Sequence, residues 1–121
     1  MRNCYCEGIE SCAVTDKIVI ISTCEREEDA RRIAARLVEA RLAACVNIVP
    51  GATSVYRWKD VVESTSEFML VIKSRRDLVK KIEQEFATVH PYEVPELIAL
   101  PILDGSRAYL SWLDAELITR G

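Results

Sequence analysis

Residues 43–73 constrain the fold more than any other segment of the chain. Ala43 to Lys59 is rich in β-branched and aromatic residues. It is interrupted only at Pro50-Gly51, which reads either as a bulge in one strand or as a break between two shorter ones. Lys59-Asp60 marks a turn, and Val61 to Lys73 returns as a second arm with Val62, Phe68, Leu70 and Ile72 on one face. The middle of that arm, Glu63 to Glu67, is polar on both faces. At about 3.3 Å per residue each arm spans roughly 45 to 50 Å, whereas a compact domain of this length has a radius of gyration near ~14 Å. A two-stranded ribbon is marginal alone in water, and exposed Tyr56 and Trp58 would invite aggregation. The hairpin therefore predicts an oligomer in which other copies of the chain cover it.

The rest of the chain alternates in period. Lys17 to Thr23 is a short β-branched run, the pattern of a buried strand. From Glu25 to Arg41 the spacing becomes helical, with Ala30, Ile33, Ala34, Leu37 and Val38 as the apolar stripe and acidic residues in the first turns. Ser74-Arg75-Arg76-Asp77 matches a capping box and predicts a second helix with Leu78, Ile82, Phe86 and Val89 inward, stopped by Pro91. Pro95 to Ile102 reads as an edge strand. Gly105-Ser106 opens a last helix expected to bury Tyr109, Trp112, Leu113 and Leu117. The order β-α-β-β-α-β-α is an α+β pattern, the ferredoxin-like split β-α-β plan with an extra C-terminal helix. Residues 17–121 form its single domain. Residues 1–16 have no periodicity and read as a disordered or variable extension that folding does not need.

Composition narrows the function. Sixteen basic and 19 acidic residues are interspersed and leave a net charge of −3, so no electrostatic footprint for nucleic acid or an anionic membrane is present. No apolar run approaches the roughly 20 residues of a membrane span, and the first 16 residues lack a signal-like apolar stretch, so a cytoplasmic location is expected. The five cysteines (Cys4, Cys6, Cys12, Cys24 and Cys45) are odd in number and confined to the first 45 residues, which does not read as a disulfide framework. The Cys4-Tyr5-Cys6 pair lies in the extension and reads as part of a variable tail or as a soft-metal or redox pair. Cys45, in an apolar strand, reads as a buried hydrophobe unless other residues recruit it.

No nucleophile-elbow, zincin, P-loop or dinucleotide motif occurs, and one histidine leaves catalysis unsupported, so no enzymatic activity is expected. That histidine, His90, precedes Pro91 where the second helix ends. It reads as a capping or packing residue, or as the one imidazole able to bind a metal or move a proton near neutral pH. His90-Pro91-Tyr92-Glu93-Val94-Pro95-Glu96 sets an imidazole, a phenol and two carboxylates in a proline-stiffened loop. It is either a pocket wall or metal site, or a well-defined turn. Cys24 follows the first strand, at the same end of the expected sheet as His90. A thiolate and an imidazole there suit copper or zinc if Glu93 or a neighbouring subunit completes the set.

The blocks Arg41 to Asn47, Gly51 to Trp58, Ile72-Lys73, His90 to Glu96 and Tyr109 to Leu113, in that order and spacing, resemble the CutA divalent-cation tolerance family over about residues 17–118. The resemblance implies a tightly packed homotrimer joined through the 43–73 hairpins, as in the PII signalling proteins. It also implies a cytoplasmic protein that binds or buffers copper and other divalent ions, without a required cofactor. It assigns Cys45 and His90 to copper, whereas a further family cysteine is Ser22 here. In the expected topology Cys45 and His90 lie at opposite ends of the sheet and can share an ion only across subunits. The alternative is a PII-like sensor binding a small organic anion between subunits, with Lys73, Tyr92, Trp58 and Tyr56 in its pocket and Glu93 beside them.

Overall fold

The computed structural model describes residues 15–120. Cys4, Cys6, Cys12 and nearly all of the expected extension lie outside the described residues. Seven main elements follow in the expected order: β1 (Lys17–Cys24), α1 (Glu27–Glu39), β2 (Cys45–Trp58), β3 (Val61–Arg75), α2 (Val79–Val89), β4 (Ile98–Pro101) and α3 (Arg107–Glu116). The strands form one antiparallel sheet in the order β2-β3-β1-β4, the ferredoxin-like arrangement. Thr15 and Asp16 belong to this domain rather than to the extension. The Thr15 hydroxyl donates to the Ile102 carbonyl at 2.6 Å, and the Asp16 carbonyl accepts from the Arg76 amide at 2.8 Å.

The long hairpin is continuous. Val49 pairs with Met69 and Ala52 with Glu67, so Pro50-Gly51 adds one residue to β2 without ending it. Gly51 takes φ +82°, the left-handed conformation such a bulge needs. At the tip Lys59 and Asp60 have φ of 50° and 68°, both positive, as a two-residue turn between twisted strands requires.

Alternation along β1 and β3 places Ile18, Ile20, Leu70 and Ile72 on the face covered by the helices. Ala30, Ile33 and Leu37 of α1, Ile82, Phe86 and Val89 of α2, and Leu113 of α3 close the core over them. Among the described residues the opposite face has no helix. There Val19 and Ile21 of β1 pair with Leu100 and Ile98 of β4 and with Lys73 and Val71 of β3. Ile98, Leu100 and Val49 are exposed on it, leaving an apolar sheet face open to solvent in the single chain.

Several local expectations fail, each through a tertiary contact or its absence. Ser74 does not cap a helix; its hydroxyl donates to the Leu42 carbonyl at 2.6 Å, and a 3₁₀ turn over Arg76–Leu78 precedes α2 with no side-chain cap. Val38, Tyr109 and Trp112 are exposed, because only one side of α1 and α3 meets the sheet. The edge strand is four residues long rather than eight. Ser106 does cap α3, accepting from the Tyr109 amide at 3.2 Å.

Candidate functional site

The end of β1, the middle of the hairpin and the loop after α2 converge on one cavity of about 650 Å³. Thr23 comes from β1, Ser54 to Tyr56 and Trp58 from β2, Glu67 from β3, and Pro91 to Val94 with Glu96 from the loop. This is the open side of the sheet, where β3 runs on past the end of its pairing with β1 at Phe68. Glu67 lies one residue beyond that point and would stand in water if the loop did not fold over it.

His90 sets the path of the loop. Its ring packs between Phe86 and Tyr92, with centroids 5.3 and 5.0 Å away. The Tyr92 amide reaches Nδ1 at 3.2 Å, so Nδ1 is the acceptor and Nε2 carries the proton. Nε2 then donates to the Thr23 carbonyl at 3.0 Å, and Ser22 Oγ lies 3.4 Å away. Burial holds the imidazole below its ordinary pKa, which keeps it neutral at physiological pH. With both nitrogens engaged, it has no free lone pair for a metal and none to take a proton from Ser22.

Tyr92 carries the connection to the hairpin, its hydroxyl donating to Glu67 Oε2 at 2.5 Å. Burial and the Glu67 carboxylate push the phenol well above its usual pKa, so it remains a donor. Glu67 is only 5% exposed. Sequence reading missed it, because Glu63 to Glu67 looks solvated on both faces. The one available signal was its position at the end of the β1 pairing, which needs the register to be known.

Cys24 and His90 do lie at the same end of the sheet, but the thiol is closed. Cys24 is fully buried, its sulfur contacts the Arg26 carbonyl at 3.6 Å, and burial, aided by Asp29, pushes its pKa up to about 11. Cys45 lies elsewhere. It pairs with Lys73, which in turn pairs with Val19, four residues or about 13 Å along β1 from Thr23. Lys73 hydrogen-bonds Asn47 Oδ1 at 2.5 Å and stands apart from the cavity, whereas Tyr56, Trp58, Tyr92 and Glu93 line it. Among the described residues no three His, Cys, Asp or Glu side chains are grouped to hold a metal ion.

A family model described as CutA1 divalent ion tolerance protein matches residues 18–116. The chain belongs to the CutA1 family. The divalent-cation tolerance protein CutA of Thermus thermophilus is 50% identical over 95 residues, covering 78% of this chain and 92% of that one. A solved CutA1 structure from that organism superposes with a TM-score of 0.81 at 48% identity, covering 84% of this chain and 98% of the other. A structure from Archaeoglobus fulgidus described as a periplasmic divalent cation tolerance protein CutA gives 0.80 at 36% identity, covering 83% and 97%. The CutA1 match covers every residue that lines the cavity, from Thr23 to Glu96. It leaves out residues 1–17 and 117–121.

Proposed function

We propose that this CutA1-family protein is a cytosolic homotrimer that binds or buffers copper and other divalent ions and catalyses no reaction. The observation that carries the metal reading is the family membership, since the similar Thermus thermophilus protein is named for divalent-cation tolerance. The long hairpin and the open apolar sheet face favour assembly, because burying them removes a large apolar area from water. Among the described residues the thiols of Cys24 and Cys45 are free, which suits a reducing compartment. Among the described residues no helix is long and apolar enough to cross a membrane. Against catalysis stands His90, whose lone pair is already committed to the Tyr92 amide.

The metal site is completed across the subunit boundary. Cys45 is half-buried and among the described residues its sulfur meets only Asn47 Oδ1, at 3.9 Å, so it is the soft donor a neighbouring chain can reach. Copper titrated into Cys45→Ser is expected to bind at least about tenfold more weakly, since a hydroxyl is a poor ligand for a soft ion. Cys24→Ser should stay within about twofold, because a thiol with so high a pKa does not readily yield the thiolate that ligation requires. The reverse pattern would refute this site. Sedimentation equilibrium at micromolar concentration should return three times the chain mass of 13.7 kDa. A stable monomer would refute the assembly.

A second reading, a PII-like sensor of a small organic molecule, is favoured by the cavity itself. Its volume and mixed lining are those of a small-molecule site. The organic anion expected from sequence finds little support there. The lining contributes Glu67, Glu93 and Glu96 but no Lys, Arg or His, and Lys73 lies outside it.

A further inference from the structure

We propose that Asp104-Gly105, in the loop between β4 and α3, is a site of spontaneous modification where aspartate converts to isoaspartate through a cyclic imide. The inference is independent of both the metal reading and the assembly.

Sequence and geometry meet at this pair. Asp104 is the one aspartate or asparagine in the chain that is followed by glycine. A residue without a Cβ leaves its amide nitrogen open to the preceding side chain and gives the backbone the freedom that ring closure needs. Both residues are exposed and lie outside any helix or strand. The Gly105 amide donates to Asp104 Oδ1 at 2.8 Å, and among the described residues it has no backbone acceptor. The nitrogen therefore stands beside the carboxyl carbon it must attack, an arrangement that speeds an intramolecular step.

The pair lies away from the tip of the hairpin. Pro101 pairs with Ile18 at the start of β1, whereas the hairpin runs on past Cys24 at the other end of that strand. Gly105 packs against α3, where an added Cβ would meet the Leu110 side chain at 3.3 Å. The reaction is internal and needs access for water alone.

The step balances without an oxidant or reductant. The Gly105 nitrogen bonds to Asp104 Cγ, and one carboxyl oxygen leaves as water with the amide proton and the acid's own. Water then reopens the imide. Attack at Cγ restores aspartate, whereas attack at the main-chain carbonyl carbon gives isoaspartate, with the chain running through Cβ. The added methylene falls between two fixed points. Ile102 is held by the Lys17 carbonyl at 3.0 Å and the Thr15 hydroxyl at 2.6 Å, and Ser106 accepts from the Tyr109 amide at 3.2 Å. Lengthening the three residues between them pulls at the cap and at Leu110, so isomerisation loosens α3.

Full-length protein held for several weeks at physiological temperature and pH tests this. Electron-transfer fragmentation of its peptides locates isoaspartate, and an isoaspartate-specific carboxyl methyltransferase counts it. Isoaspartate should build up at position 104 at least about tenfold faster than at Asp60, which is also exposed but precedes β-branched Val61. Asp104→Glu, which would have to close a larger ring, should abolish the signal. Asp104→Asn reaches the same imide by losing ammonia and should convert faster in the folded protein. The isomerised fraction should melt at a lower temperature than fresh protein, and Asp104→Glu stored alongside should not change. Absence of isoaspartate at position 104 in the folded chain, or its appearance only after unfolding in urea, overturns the proposal. So does an Asp104→Asn chain that deamidates in urea but not when folded. An isomerised fraction as stable as fresh protein refutes the loosening of α3.

Discussion

Replacing Arg75 by alanine is expected to lower the unfolding free energy by about 3 to 4 kcal/mol, among the largest effects of any single substitution in this chain. Arg75 ends β3 and is 1% exposed. Its guanidinium grips Asp77 with two hydrogen bonds of 2.5 and 3.2 Å, donates to the Ile118 carbonyl at 2.8 Å, and lies 3.6 Å from Asp114 of α3. Lys17 and Arg120 also reach Asp114, so these charges fasten α3 to the start of β1 and the end of β3. Asp77 and Asp114 are nearly half exposed and can hydrate once the arginine is gone. The loss is therefore mainly of buried packing and of the bond to Ile118. Urea unfolding at pH 7 reads the size of the effect.

Acid tests the same cluster. The hydrogen bonds from Arg75 hold the Asp77 carboxyl below its usual 3.8. For Asp16, burial acts upward but hydrogen bonds from Lys17 and Arg120 outweigh it, and the net shift is downward. A carboxyl depressed on folding leaves the unfolded chain holding more protons, so its stabilisation is complete above about pH 4 and disappears as the pH falls through the folded value. Wild-type stability should fall between pH 4 and 2, and Arg75→Ala should fall less steeply because the Asp77 contribution is already gone. An unchanged acid slope would show that Arg75 does not set the Asp77 carboxyl.

His90→Ala is expected to cost about 3 kcal/mol through the vacated ring space between Phe86 and Tyr92 and the two lost hydrogen bonds. It should also change the response to mild acid. Burial depresses the folded imidazole below its ordinary 6.5, so below that pH the unfolded chain takes up the proton first. Wild-type stability should therefore decline from pH 7 toward pH 5, a window separate from that of the aspartates, whereas His90→Ala should be flat across it. If the variant keeps wild-type stability but loses copper, His90 is a ligand and not the loop's anchor.

Local pattern made much of this protein legible. The β-branched arms, the Pro50-Gly51 bulge, the turn at Lys59-Asp60 and the order of elements depend on residues within a few positions of one another, and periodicity records such relations. The family blocks were equally readable, because they are runs of adjacent residues. What the tertiary structure decided involves pairs far apart in the chain. Glu67 is buried because Tyr92, 25 residues on, swings over it; Arg75 is buried because α3 and Ile118 return to it. Sequence left His90 as either a capping or packing residue or a free imidazole, and the Thr23 carbonyl, 67 residues earlier, decides for packing by accepting its Nε2–H. Ser74 looked like a cap until the Leu42 carbonyl came within 2.6 Å. A polar side chain bonds whatever partner the packed backbone brings nearest, and that proximity is set by how the sheet and helices close on one another, which no local spacing encodes.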